Sequence, residues 1–79
     1  MRILIRDQDG DALTLVEARS VFYFGDESIK GMVIEVTDKD YWTASMPEQQ
    51  CEGFLLQGLA TGYIDCSKFR FKSGSFEDL

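Results

Sequence analysis

Residues 45–66 read Ser-Met-Pro-Glu-Gln-Gln-Cys-Glu-Gly-Phe-Leu-Leu-Gln-Gly-Leu-Ala-Thr-Gly-Tyr-Ile-Asp-Cys, and this stretch decides the fold. Ser45-Met46-Pro47-Glu48 matches a capping box, in which the serine oxygen accepts the third helical amide and the glutamate reaches back. Pro47 suits a first turn, where its missing N–H costs nothing. Cys51, Phe54, Leu55 and Leu59 then recur at three- and four-residue spacing as one apolar stripe, and Gly62 is a left-handed stop. The spacing predicts the chain's one helix over about residues 46–60. Gly53 and Gly58 each weaken it by about 1 kcal/mol relative to alanine. Docking or close backbone approach must hold it in place. Tyr63 to Cys66 resumes a strand.

Upstream the pattern has a period of two. Arg2, Leu4 and Arg6 alternate with Ile3 and Ile5, Asp7-Gln8-Asp9-Gly10-Asp11 is turn-forming, and Ala12 to Val16 reads as the returning strand. Val21-Phe22-Tyr23-Phe24 is β-branched and aromatic, and Gly25-Asp26-Glu27-Ser28 breaks it. Met32, Ile34 and Val36 share one face of the clearest strand. Asp38-Lys39-Asp40 turns, and Tyr41 to Ala44 is a further short strand. Downstream, Phe69 and Phe71 alternate with Lys68, Arg70 and Lys72. The order strands, helix, strand predicts an α+β fold: a small twisted antiparallel sheet or open barrel of about five to six strands, with the one helix before the last strand covering a face or plugging an end. Residues 1–72 are expected to form one compact domain and residues 73–79 a frayed tail.

The chain has 79 residues, 14 acidic and 8 basic side chains, a net charge of −6, no histidine and two cysteines. Its three consecutive apolar residues near the N-terminus fall short of the roughly 7 to 15 of a signal peptide, and no run approaches a membrane span. The expectation is a cytoplasmic protein with no membrane attachment, in which Cys51 and Cys66 remain buried thiols.

Chemistry is excluded more readily than assigned. Without histidine there is no Ser-His or Cys-His nucleophile and no histidine ligand for zinc. Asp7, Asp9 and Asp11 have the alternate spacing that opens a calcium loop, but the sixth and twelfth positions from Asp7 are Ala12 and Ala18, where glycine and glutamate are required. The carboxylate pairs Asp26–Glu27 and Asp38–Asp40 fall in turns, away from the water-poor cleft that acid–base catalysis needs. We expect no enzyme, no cofactor and no metal.

What remains is a surface. The leading expectation is a small acidic, non-catalytic interaction module, in its most concrete form an inhibitor or nucleic-acid mimic acting on a basic, nucleic-acid-binding protein, with Asp7, Asp9, Asp11, Asp26, Glu27, Asp38 and Asp40 as the partner contacts if their turns gather into one anionic rim. A second is an assembly protein that homodimerises through a strand edge or a helix face. A third is a single-strand nucleic-acid binder using Lys68, Arg70 and Lys72 beside Tyr41 and Trp42. Direct nucleic-acid binding is disfavoured by the net negative charge, and cross-strand pairing of these cations with Glu35, Asp65 or Asp7 is the favoured account of them.

Overall fold

The computed structural model describes residues 1–78. The strands are β1 (Arg2–Asp7), β2 (Leu13–Glu17), β3 (Ser20–Phe24), β4 (Ile29–Glu35) and β5 (Asp40–Pro47). Helix α1 (Glu48–Thr61) follows, then β6 (Tyr63–Ser75) and a 3₁₀ turn over Phe76–Asp78. The fold is α+β: a six-stranded sheet of order β2-β1-β6-β5-β4-β3, not closed, with the helix before the last strand.

Four of the pairings are antiparallel, as expected; the β1–β6 pairing is parallel, so the sheet is mixed. The cause is the helical crossover. Returning through α1, the chain inserts β6 between β1 and β5 instead of adding it at an edge. β6 serves both neighbours by bending: Ile64 and Cys66 lie beside Ile3 and Ile5, and Lys72 to Ser75 lie against Thr43 to Asp40. Between these halves the register jumps, Ile5 facing Cys66 and Arg6 facing Arg70. Residues 67–69 form that bulge, and a bulge is how a strand turns the corner from one layer to another.

The two edge strands, β2 and β3, are consecutive in the chain with only Ala18 and Arg19 between them. In a flat sheet five spacings of about 4.8 Å would separate them by roughly 24 Å. A two-residue link reaches only about 10 Å. The sheet must therefore curl, and the link shows it: Ala18 N–H donates to Met1 C=O (2.7 Å) and the next amide, of Arg19, to Glu35 C=O (2.7 Å).

The concave interior collects Ile3, Ile5, Val16, Met32, Ile34, Ala44, Met46, Ile64, Cys66 and Phe71. Cys51 and Phe54 enter from α1, which packs on β6, β4, β5 and β3, and Phe54 meets Phe69 edge-on at 5.8 Å between ring centroids.

The helix departs from its predicted details. Pro47 is the final residue of β5, paired with Ile29, and stands at the N-cap with an extended ψ of 145°. Ser45 remains in the ladder opposite Gly31, and no side chain caps the helix. Glu48 N–H instead donates to Ser28 C=O (2.7 Å), a cap supplied by the β3–β4 turn. The inward stripe is Cys51, Phe54 and Gly58; Leu55 is half-buried and Leu59 is 81% exposed. A Cβ at Gly58 would stand 2.8 Å from Met1 Sδ and 2.9 Å from Ile64 Cδ1, so the helix approaches the sheet through its glycine and rotates its leucines outward. Gly62 ends the helix in the left-handed region, φ 74°, its N–H donating to Gly58 C=O. Residues 73–75, expected to fray, complete β6, because pairing with Tyr41 and Asp40 satisfies their backbone; Leu79 lies outside the described residues.

Candidate functional site

The curled sheet has an outer face as well as a core. In a strand the neighbours of an inward residue point outward, so Met32 and Ile34 turn Gly31, Val33 and Glu35 out, Trp42 and Ala44 turn Tyr41 and Thr43 out, and Val21 and Tyr23 turn Phe22 and Phe24 out. Register aligns these residues across the strands: Phe22, Val33, Thr43 and Lys72 form one row, and Phe24 and Gly31 the next. Phe22, Phe24, Val33, Tyr41, Thr43 and Phe76 line an apolar cleft of about 240 Å³.

Two glycines shape it. A Cβ at Gly31 would lie 2.8 Å from Phe24 Cε1, and one at Gly74 would lie 2.6 Å from Tyr41 Cζ, so both rings lie flat on the strand beside them. The 3₁₀ turn supplies the far wall. Phe76 N–H donates to Lys39 C=O (2.7 Å), and the Phe76 ring packs on Tyr41 at 4.7 Å between centroids. Thr43 Oγ1 donates to Met32 C=O (2.9 Å), so its hydroxyl is engaged by the sheet itself. Phe22 and Phe24 remain 41% and 58% exposed. The volume falls below the roughly 300–1,000 Å³ of small-molecule sites. It fits one or two side chains of a larger partner.

On the other side of β3, Tyr23 joins Glu52, Leu55, Leu56 and Leu59 around a second, shallower apolar surface. Burial, then the carboxylates of Glu52 and Glu48, hold the Tyr23 phenol above its ordinary pKa.

The expected acidic contacts do not gather into one rim. Asp26 and Glu27 precede β4, whereas Asp38 and Asp40 follow it, and the seven-residue strand between them is about 20 Å long. The third turn leaves β1 on the far side of β6, with Gln8 N–H on Phe71 C=O (2.9 Å), toward the end of the sheet where Ser75 pairs with Asp40, so Asp26 and Glu27 are the pair set apart. Within it Asp7 accepts the Asp9 N–H (2.9 Å). Asp11, at φ 55°, is occupied inside the molecule: its carboxylate receives Arg70 at 3.0 Å and Arg6 at 3.7 Å. The three aspartates thus do not converge on a cation. Among the described residues no group of three or more His, Cys, Asp or Glu side chains is placed to hold a metal ion.

Nor does the basic–aromatic set come together. Trp42 packs against the core while Tyr41 faces out, as adjacent strand residues must. Lys68 lies in the β6 bulge beside Gln50, Phe54 and Gln57 of the helix, and Arg70 pairs with Asp11 rather than with Glu35, Asp65 or Asp7. Of that set Tyr41 lines the outer cleft and Lys72, opposite Thr43, borders it. Asp65 is held below its ordinary pKa by the hydroxyl and amide of Ser67.

Both cysteines are free and buried. Burial pushes the Cys66 thiol up to about 12 and raises that of Cys51, which favours the protonated thiol at both positions. No helix of the described residues is long and apolar enough to cross a membrane.

Compared with protein-family models, curated proteins and solved structures, the chain has no match.

Proposed function

We propose that this chain is a small acidic, non-catalytic interaction module of the cytoplasm that binds a basic protein partner through the outer face of β3, β4 and β5. One observation carries the reading: the aromatic cleft of Phe22, Phe24, Val33, Tyr41, Thr43 and Phe76 lies on the solvent side of a sheet whose other side already fills the core. Aromatic anchors in a desolvated pocket supply most of the energy of a typical interface. The net charge of −6 adds steering toward a cationic surface, with more effect on encounter rate than on affinity. Asp26, Glu27, Asp38 and Asp40 contribute through that field. A pure nucleic-acid mimic would instead need a row of carboxylates, so we place the affinity in the cleft and assign the acidic turns to steering. Cys51 and Cys66 as buried thiols fit a reducing compartment.

The test is affinity capture from native extract with the wild-type protein and with a Phe22→Ser/Phe24→Ser double variant, eluted by rising salt. The reading expects basic proteins held by the wild type, absent from the variant and released as salt increases. Identical retention by both proteins, or retention indifferent to salt and to protein charge, removes it.

A further inference from the structure

β3 is an edge strand. One side is paired with β4 through Ser20 to Phe24, and among the described residues no backbone hydrogen bond occupies the other. Natural sheets protect such edges with short strands, inward charges, proline or a covering segment. β3 is short, but it carries Val21, Phe22, Tyr23 and Phe24 and no charge or proline. It is also flanked on both sides by apolar surface: Phe22 and Phe24 with the outer cleft, Tyr23 with Leu55, Leu56 and Leu59. A strand laid along this edge sends alternate side chains to opposite faces. A single extended segment would therefore address both surfaces at once.

The charge around the edge selects the segment. Beyond Phe24 the chain continues as Gly25-Asp26-Glu27-Ser28, and Ser28 C=O caps the helix at Glu48, with Glu52 one turn further on. Four carboxylates thus collect where β3 ends. The nearby cation, Lys30, is committed to Gly25 C=O and to Glu48 (3.8 Å). A second copy of this chain would bring the same carboxylates to the edge, on a molecule of net charge −6. A cationic segment meets no such repulsion.

We propose that the free edge of β3 accepts an extended basic segment of the partner as an added strand, its apolar side chains alternating between the Phe22–Phe24 cleft and the Leu55–Leu59 surface and its lysines or arginines lying over Asp26, Glu27 and Glu52. Main-chain hydrogen bonds then supply affinity, and the alternate side chains supply specificity. This rests on the reading of the chain as an interaction module and specifies how the partner is held.

The probe is a random linear peptide library selected against the full wild-type protein. Enriched peptides should combine Lys or Arg with apolar residues at alternate positions. Amide exchange should slow at every other residue of β3 when they bind. Phe24→Ser and Leu56→Ser/Leu59→Ser, all at exposed positions, should each weaken binding about tenfold or more, the loss of one hot-spot contact. Failure to enrich peptides, slowing that spares β3, or full binding by either variant overturns the added strand. So does a free protein that is already dimeric by light scattering with β3 protected. If extract capture still depends on Phe22 and Phe24 while β3 exchange is unchanged, the module reading stands and the added strand falls.

Discussion

Phe24 faces Gly31 across the β3–β4 ladder, and its ring occupies the space a side chain at residue 31 would fill. Tyr41 and Gly74 repeat the arrangement across β5 and β6. Glycine inside a strand weakens it unless something approaches the bare backbone. Here the approaching group is an aromatic ring from the paired position. The rings lie down on the outer face instead of standing away from it, which makes a cleft out of a convex surface.

The two faces of the sheet should therefore answer differently to truncation. Ile34 is fully buried, and Ile34→Ala should cost about 2–5 kcal/mol in urea unfolding, the usual cost of a core cavity. Phe24→Ser, at a position 58% exposed, should cost within about 1 kcal/mol, the scale of a cross-strand pair. Equal losses would mean that the outer cleft is a second core and not a surface held ready for a partner.

That contrast also explains what could be read from the residues. Alternation identifies strands, and it located β1, β2, β4 and the class of fold. It assigns an inward face only when one set is polar. Arg2, Leu4 and Arg6 against Ile3 and Ile5 decide the matter; Val21 and Tyr23 against Phe22 and Phe24, or Tyr41 against Trp42, do not. The aromatic cleft was hidden for this reason, although Gly31, directly before the apolar run Met32 to Ile34, was an available sign. The parallel β1–β6 pair was hidden because insertion of a last strand is a long-range outcome with no local signature. Asp11 looked free because its partners are a neighbour across the hairpin and an arginine 59 residues on.

The helix glycines make a paired test. Nothing lies within 4 Å of a Cβ built at Gly53, so Gly53→Ala should stabilise by up to about 1 kcal/mol through helix propensity and reduced unfolded-state entropy. At Gly58 the same methyl meets Met1 and the fully buried Ile64. Gly58→Ala should forfeit that gain and stand at least about 1 kcal/mol below Gly53→Ala, since overpacking costs about 1–3 kcal/mol. Thermal unfolding of the two variants decides it, and equal stabilisation would show that the helix does not rest on this glycine.

Lys30 ties the β3–β4 turn to the start of α1. Its stem is buried, and its ammonium donates to Gly25 C=O and faces Glu48. Lys30→Ala removes buried stem and donor together and should cost about 1–3 kcal/mol. Glu48 is about half exposed, so Glu48→Gln should cost less than about 1 kcal/mol. The reverse order in denaturant titrations would place the stabilisation in the ion pair instead of the stem.

Cys66 gives stability a defined alkaline dependence. Its thiol titrates near 12 in the fold, chiefly through burial and secondarily through Asp65, against an ordinary value of 9.0. Above pH 9 the unfolded chain therefore gives up a proton that the folded chain keeps, and unfolding gains free energy with each further rise. The contribution is complete below about pH 9 and drains away as pH climbs toward about 12. Cys66→Ala should be less stable than wild type at pH 7, because it opens a cavity at a fully buried position, yet lose less stability between pH 8 and pH 10.5. Thiol titration supplies the independent check: the native protein should resist an aromatic disulfide reagent at pH 8 and yield both Cys51 and Cys66 once unfolded in urea. Rapid labelling of native Cys66, or parallel alkaline slopes for wild type and variant, would contradict the burial from which the dependence is derived.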